Sequence, residues 1–137
     1  MTTPLVVDSS VAVKWIVRDD ESDVDAALGL LNRHRAGELT LCAPAHMRVE
    51  FLDALWSFRL DADALLRAED VLTRLHLDWY PADTFLARSA IPLAVTYRLT
   101  VYDALFAALA NQLDCELVTA DHALAASGAC KVRLLGG

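Results

Sequence analysis

The sequence predicts an α/β fold in which a parallel sheet is covered by helices on both faces. Short runs of β-forming apolar residues alternate along the chain with longer stretches of helical periodicity, as in successive β-α units. Gly and Pro number 5 and 4 among 137 residues, which disfavours a loop-rich all-β fold. The length and the 55% apolar content suit one domain, residues 1–137, with a substantial core.

Five runs of apolar residues are short enough to be strands of a buried parallel sheet. The first, Leu5–Val7, ends in Asp8, and a polar residue at the carboxyl end is typical of such a strand. A proline closes the second run and another follows the third, while Asp121 comes almost directly after the fourth. The predicted strands are 5–7, 40–43, 76–80, 116–119 and 132–135.

Seven stretches between these strands are predicted to be helices. Ser9 and Ser10 are suitable caps for the first helix, and a glycine ends the second. The acidic stretch 18–23 between those two helices is expected to be a solvated loop with acidic residues at a helix start. Asp83 is a suitable cap for the fifth helix, which Pro92 is expected to kink or split. The predicted helices are 11–17, 24–36, 45–60, 62–75, 84–97, 101–113 and 123–126.

The net charge and the cysteine content limit the classes of function that the protein can have. Twelve basic and 19 acidic residues give a net charge of −7, whereas a protein that grips nucleic acid over a broad face is usually basic. Contact with a polynucleotide is therefore expected to be local, metal-assisted or helped by a basic partner. The three cysteines, Cys42, Cys115 and Cys130, form no CxxC pair and predict reduced thiols in a cytoplasmic protein. We expect no signal peptide and no membrane association, because no apolar run approaches a membrane-spanning length.

Four of the 19 acidic residues lie in apolar sequence, where an unpaired charge is costly: Asp8, Glu50, Asp103 and Asp121. Each alone has a structural explanation, namely a helix start for Asp103, a turn cap for Asp8 or Asp121, and a basic partner for Glu50. Two carboxylates ~4 Å apart repel by roughly 4 kcal/mol at an effective dielectric constant near 20. If the four meet, they need cations, and hard oxygen ligands favour Mg²⁺ or Mn²⁺ over Zn²⁺.

The segments that carry these acids resemble, in order, the four motifs of PIN-domain ribonucleases, in particular VapC-type toxins. The segments are VVDSSVAVKW at 6–15, AP at 43–44 with EFLDAL at 50–55, LTVYDAL at 99–105 and LVTAD at 117–121. A single motif is weak evidence, but all four occur in family order over about residues 5–135.

The resemblance implies a three-layer α/β/α sandwich with a central five-stranded parallel sheet. It also implies that Asp8, Glu50, Asp103 and Asp121 are catalytic residues and ligands of Mg²⁺ or Mn²⁺. The activity it implies is metal-assisted hydrolysis of RNA phosphodiester bonds by the toxin of a toxin–antitoxin pair. The implied partners are the RNA substrate, a cognate antitoxin protein whose tail covers a groove near the acids, and a second copy in a homodimer.

Two positions depart from the family pattern. Asp53 stands where the family more often has Asn, and we expect it to face solvent or, less favoured, to join the rim of the site. Arg98 stands where Gly is common, which bears on the loop more than on the metal site. The hydroxyl groups of Ser9, Ser10 and Thr119 are candidates for orienting the carboxylates or a metal-bound water.

Several other side chains give weaker signals. His46 lies four residues before Glu50 on one helix face, a spacing that serves some metal sites. His122 is expected in an exposed turn, with a substrate contact as the alternative, and Lys14 is expected to be exposed, with a phosphate contact as the alternative. Core packing and a groove for a partner's amphipathic segment are both open for four aromatic residues, Trp15, Phe51, Trp56 and Phe58.

Other functions fit the sequence less well. A receiver-like signalling module needs an acidic pair after the first strand and an acceptor Asp on a middle strand, and the chain has Asp8-Ser9 and no suitable acceptor. A haloacid-dehalogenase-type phosphatase needs Asp-x-Asp, but Ser10 occupies the second position. A non-catalytic PIN-like binding module would show a lost acid, and none is lost. No phosphate-binding glycine motif supports a nucleotide cofactor.

Overall fold

The computed structural model of the chain describes residues 2–19 and 22–137. Within those ranges the protein has five strands, one 3-10 turn over Val13–Trp15 and seven α-helices. The strands are β1 (Thr3–Val7), β2 (Leu39–Pro44), β3 (Asp78–Tyr80), β4 (Glu116–Thr119) and β5 (Val132–Leu134). The helices are α1 (Ser9–Ala12), α2 (Val24–Arg35), α3 (Met47–Ser57), α4 (Ala62–Arg74), α5 (Thr84–Tyr97), α6 (Val101–Leu113) and α7 (His122–Ala126).

The five strands form one sheet in the order β3-β2-β1-β4-β5, and every neighbouring pair is parallel. The chain runs outward from β1 to β2 and β3, and then crosses back to β4 on the other side of β1. Val7 pairs with Val118, so β1 and β4 end close together. The direction of winding reverses between these two strands, and in such sheets a crevice for ligands opens beyond their carboxyl ends.

Helices cover both faces of the sheet, because right-handed crossovers in the two directions place their helices on opposite faces. Helix α6 contacts β1, β2 and β4 and carries α5 on its outer side, while α2 contacts β2. Residues 104–110 of α6 are buried without exception, as expected for a helix between a sheet and another helix. The predicted three-layer α/β/α sandwich with a five-stranded parallel sheet is thus confirmed.

The start of α1 differs from the sequence prediction. Helix α1 begins at Ser9 instead of residue 11, because Asp8 is the cap and its carboxylate accepts the amide of Ser10 at 3.1 Å. The prediction that Ser9 or Ser10 caps this helix was therefore wrong. Of the predicted helix 11–17, residues 13–15 form the 3-10 turn over Val13–Trp15, and residues 16–17 lie beyond it.

Pro92 does not split α5, so that part of the prediction was wrong. The helix continues through Pro92, which lies on the exposed face where water can replace the missing hydrogen bond. Leu86, Ala90 and Ala94 are buried on the opposite face, and packing against α6 stabilises α5 on both sides of the proline. Asp83 caps the helix as predicted, accepting the amide of Leu86 at 3.0 Å.

Two further expectations concern the acidic loop and the apolar segments. In the predicted loop over 18–23, Asp20 and Glu21 lie outside the described residues, and Asp23 starts α2 without a side-chain cap bond. No single helix among the described residues is long and apolar enough to cross a membrane, while α5 and α6, bent by 114°, meet that criterion only as a pair. The three cysteines are free thiols, and Cys42 and Cys115 are buried.

Candidate active site

Asp8 lies at the carboxyl end of β1, next to the end of β4, and only 5% of it is exposed. Its Oδ1 accepts hydrogen bonds from the amide of Ser10 at 3.1 Å and from Ser10 Oγ at 2.5 Å. Its Oδ2 accepts one from Thr119 Oγ1 at 2.5 Å. The carboxylate therefore has one fixed orientation at the point where the winding of the sheet reverses.

The two hydroxyl groups also bind the turn that follows β4. Ser10 Oγ accepts the amide of Ala120 at 2.9 Å, and Thr119 Oγ1 accepts the amide of Asp121 at 3.0 Å. Each hydroxyl oxygen accepts an amide proton through a lone pair, and its own single proton is donated to Asp8. Among the three predicted hydroxyl candidates, Ser10 and Thr119 orient Asp8, and Ser9 instead lines a neighbouring cavity.

Asp8 and Glu50 are both easier to protonate than ordinary carboxylic acids. Burial raises the pKa of Asp8 to about 6, although hydrogen bonds from Ser10 and Thr119 lower it and the charge of Asp103 raises it further. Burial likewise raises the pKa of Glu50 to about 7, and the charges of Asp103 and Asp8 add to the effect. The side chain of Glu50, on the first turn of α3, thus shares an electrostatic environment with β1 and α6.

Asp103 and Asp121 complete the group of acids. Burial raises the pKa of Asp103, and the charge of Asp121 raises it further. Asp103 is half-buried in the first turn of α6, where Thr100 is the cap. Asp121 is exposed and caps α7, with Oδ1 accepting the amides of Ala123 and Leu124 at 2.9 and 3.2 Å. The four predicted site acids therefore form one electrostatically linked group, although they come from four separate segments.

Within the described ranges, no ion pair links a lysine or arginine side chain to this group. Ion pairs there link neither Asp8, Asp103 nor Asp121 to a basic side chain. Glu50 lies 3.6 Å from His46 Nε2, but burial lowers the pKa of His46 and favours its neutral form. Arg48, two residues before Glu50, binds Glu69 at 2.9 Å and lies over the ring of Trp79.

The donor chemistry of the group suits a hard divalent cation. No three Asp, Glu, His or Cys side chains, taken from residues 2–19 and 22–137, form a ready-made metal cage. Mg²⁺, however, is usually held by one or two carboxylates together with waters and substrate phosphates. Asp8 and its neighbouring acids offer only oxygen donors and an uncompensated negative charge, which fits Mg²⁺ or Mn²⁺ bound with substrate.

Two open cavities flank the acids. One has a volume of about 310 Å³ and is lined by Ser9, Ser10, Val13, Lys14, Ala54, Phe58 and Ala120. The other has a volume of about 420 Å³ and is lined by Val49, Glu50, Asp53 and Tyr102. Lys14 is only 6% exposed, so the expectation of an exposed helix residue was wrong. Asp53 was expected to face solvent or, less favoured, to join the rim of the site. It is exposed to solvent and also lines the second cavity, next to Glu50.

The four noted aromatic residues divide into two pairs. Trp15 and Phe51 belong to the core, whereas Trp56 and Phe58 are exposed at and just beyond the end of α3. The aromatic residue that sequence reasoning missed is Tyr102, which is 62% exposed beside the acids. Its signal was its place directly before Asp103 in the third motif.

The imidazole ring of His46 is packed against residues of α6. Its Nε2 lies 3.1 Å from the carbonyl oxygen of Tyr102, and its ring centroid lies 4.7 Å from that of Phe106. Nδ1 is buried and has no hydrogen-bond partner in the described part of the chain. The geometry gives His46 a packing role between α3 and α6. His122 is exposed, as expected.

Comparisons with known proteins agree with this fold. The family model of the PIN domain matches residues 5–128. Mycobacterium tuberculosis VapC20, a sarcin-ricin loop cleaving toxin, is similar in structure at 17% identity and a TM-score of 0.71, covering 94% of this chain and 98% of that one. Rickettsia felis VapBC2, bound to a DNA fragment from its promoter, is similar in structure at 12% identity and a TM-score of 0.72, and the match covers 96% of this chain and 98% of that one. Neisseria gonorrhoeae FitAcB is similar at 18% identity and a TM-score of 0.67, and the match covers 93% of this chain and 95% of that one. No curated protein matches the sequence significantly.

Proposed function

The chain belongs to the PIN domain family, and on that premise we propose that it is a divalent-metal-dependent ribonuclease. We further propose that it acts in the cytoplasm as the toxin of a toxin–antitoxin pair. In this proposal Asp8, Glu50, Asp103 and Asp121 hold Mg²⁺, or Mn²⁺, against the scissile phosphate of RNA.

The observation that carries the proposal is the buried, hydrogen-bonded carboxylate of Asp8 in a group of acids without basic partners among the described residues. Asp8 is 5% exposed, and its pKa is raised to about 6 mainly by burial. A core that required only a helix cap there would use Ser or Asn at little cost. An ionised carboxylate in this position is instead suited to binding a cation.

The residues of the chain have separate tasks in this mechanism. When bound, a divalent ion supplies positive charge that polarises the phosphodiester and makes water more acidic. Ser10 and Thr119 hold Asp8 in one orientation through their hydroxyl protons. Asp121 caps α7, and its negative charge raises the pKa of Asp103. The mechanism assigns no nucleophilic role to a protein side chain.

Cleavage of RNA by the purified protein tests the proposal. Wild type is incubated with total RNA in Mg²⁺ and in EDTA, and the new RNA ends are sequenced. Defined ends should appear only with metal and should be lost in Asp8→Asn. Asp70→Asn removes one carboxylate from an exposed ion pair on α4 and serves as the charge-matched control that retains cleavage. Equal cleavage by Asp8→Asn would refute the proposal, and a wild type without activity would favour a non-catalytic binding module.

An antitoxin partner is the second part of the proposal. Trp56 and Phe58 are 62% and 47% exposed, and Phe58 lines the cavity next to the acids. Large exposed apolar side chains at one place mark a binding surface. The net charge of −7 favours a partner segment that contains Arg or Lys. A toxin–antitoxin complex from Klebsiella pneumoniae is similar in structure to this chain, which supports a partner of this kind.

Co-expression with the protein encoded by the adjacent gene tests the antitoxin proposal. A tight complex should be recovered by tag purification, and Trp56→Ala should weaken it at least tenfold because buried Trp residues dominate many interfaces. Val71→Ala, at an exposed position on α4, is the matched surface control. Recovery of the soluble protein alone, without growth arrest on single expression, would contradict a toxin role.

We also propose that the protein forms a homodimer through α5. Ile91 and Val95 are 53% and 76% exposed and lie four residues apart, so they form one apolar stripe on that helix. Light scattering after size exclusion should give twice the mass of 15.0 kDa for wild type. Val95→Asp should give the monomer mass. A monomeric wild type would contradict the proposed dimer but not the proposed nuclease activity or antitoxin partner.

A further inference from the structure

The cavity of about 420 Å³ beside Glu50 has no role in the chemistry described so far. Val49, Glu50 and Asp53 of α3 form one wall, and Tyr102 of α6 forms the other. Glu50 belongs both to this cavity and to the acidic group, and Tyr102 directly precedes Asp103. Whatever occupies the cavity therefore lies next to a phosphodiester held at the acids.

The side wall of this cavity is an exposed aromatic ring supported from behind. Tyr102 is 62% exposed, and its ring centroid lies 6.0 Å from that of His46, with an angle of 34° between the two planes. His46 is packed in turn against the buried ring of Phe106 at 4.7 Å. Val49, which is 68% exposed, adds an aliphatic surface. Such surfaces bind unpaired bases of single-stranded nucleic acid by stacking.

The charges in the cavity select what can enter. Glu50 and Asp53 are acidic, and none of the lining residues is Lys or Arg. Asp53, which is not one of the proposed metal ligands, would repel a phosphate group or an acidic side chain there. A nucleobase is uncharged, and an exocyclic amino group on it can donate a hydrogen bond to a carboxylate. Adenine and cytosine have such an amino group where uracil has a carbonyl, guanine has one at C2, and uracil has none.

We propose that this cavity binds the base next to the scissile phosphate, with the base stacked on Tyr102 and its exocyclic amino group bonded to Asp53. Asp53 is thus a specificity-determining residue, and Tyr102 positions the substrate. The inference rests on the proposed RNA substrate and names the class of base that the site selects.

Binding of short RNAs tests the base site independently of cleavage. Fluorescein-labelled hexacytidine and hexauridine are compared by anisotropy with Mg²⁺ in the Asp8→Asn background, in which the RNA is expected to stay intact. The two RNAs differ in the exocyclic group at each base, which is amino in cytosine and carbonyl in uracil. Hexacytidine should bind about tenfold more tightly, since one good side-chain contact to a base gives discrimination of that order. Adding Asp53→Asn should reduce the preference to about twofold or less.

Kinetics with wild-type Asp8 provide the second measurement. Tyr102→Ala should raise KM about tenfold or more and change kcat by less than about twofold, as expected when stacking is lost. Tyr102→Phe keeps the ring and should behave as wild type. The cut sites of wild type should disfavour uracil at one flanking position, and those of Asp53→Asn should not.

The outcomes separate the two proposals. Equal binding of the two hexanucleotides, or an Asp53→Asn variant that retains the preference, would overturn the base site. If Tyr102→Ala weakens binding of the antitoxin but leaves KM and base preference unchanged, the cavity belongs to the protein partner and the base site is wrong. A base preference in binding with no cleavage by wild type would support the base site and contradict the nuclease proposal.

Discussion

Burial of the Asp8 carboxylate without a basic partner should make the metal-free protein less stable than it could be. Burial raises the pKa of Asp8 from 3.8 to about 6. Each pH unit of difference between folded and unfolded chains corresponds to about 1.4 kcal/mol, so the charged form costs about 3 kcal/mol of folding free energy. Asp8 is 5% exposed, so solvent screening does not reduce this figure much. Replacing Asp8 with Asn removes the charge and should recover most of it.

The sign of the effect follows from proton binding. Because the pKa of Asp8 is higher in the folded state, the folded protein binds more protons than the unfolded chain between pH 3.8 and about 6. The destabilisation is therefore absent below that range, grows through it and is complete above it. The amide of Asn has only one oxygen, so either Ser10 or Thr119 loses the acceptor for its hydroxyl proton, at a cost of about 1 kcal/mol. The net gain for Asp8→Asn is then about 2 kcal/mol, or a Tm increase of about 6 °C.

Urea unfolding in EDTA at several pH values between about 4 and 8 measures this effect. The free energy of unfolding of Asp8→Asn should exceed that of wild type by about 2 kcal/mol at the neutral end and fall slightly below it at the acid end, where the cost of the Asp8 charge is largely absent and only the lost hydrogen bond remains. Asp70→Asn, which loses an exposed ion pair with Arg74, should differ from wild type by no more than about 0.5 kcal/mol. A variant that is less stable than wild type at neutral pH, or a gain that does not depend on pH, would refute the reasoning.

Three further predictions follow from the same structure. Arg98 has a left-handed backbone with φ of 55°, so Arg98→Gly should raise the free energy of unfolding by about 1 kcal/mol in urea titrations without changing cleavage, and a loss of stability would contradict this. Thr119→Val removes the hydroxyl between Asp8 and the amide of Asp121, and should lower kcat/KM about 10- to 100-fold with an unchanged circular dichroism spectrum, while Thr119→Ser should largely restore activity. Saturating Mg²⁺, at about 100 times its Kd, should stabilise wild type by about 2.7 kcal/mol in thermal unfolding, and an equal gain in Asp8→Asn would exclude Asp8 as a ligand.

The secondary structure was largely predictable because its signals are local. All five predicted strands overlap the observed ones, since short β-forming runs between helices leave few alternatives. The boundaries of α1 were less predictable, because Asp8 has two functions in one place. Its carboxylate caps the helix and belongs to the acidic group, while Ser9 and Ser10 next to it are equally suitable caps by residue type.

The behaviour of individual side chains was harder to predict. Lys14 was expected to be exposed and is buried, because α1 and the 3-10 turn lie between β4, α2 and α3. Pro92 was expected to kink or split α5, but the contact with α6 keeps the helix continuous. Trp56 and Phe51 are five residues apart on α3 and have opposite exposures. Helical position separates the two faces, but only the neighbouring elements decide which face is covered.

From the sequence alone came the α/β class, the order of the elements and the identity of four acids in apolar surroundings. These depend on local hydrophobicity and residue type, which the chain carries without being folded. The tertiary structure decided that the acids share one electrostatic environment, that Ser10 and Thr119 rather than Ser9 orient Asp8, and that Tyr102 faces a cavity beside Glu50. The reason is distance along the chain: 111 residues separate Asp8 from Thr119, and only the pairing of β1 with β4 brings their side chains within a hydrogen bond.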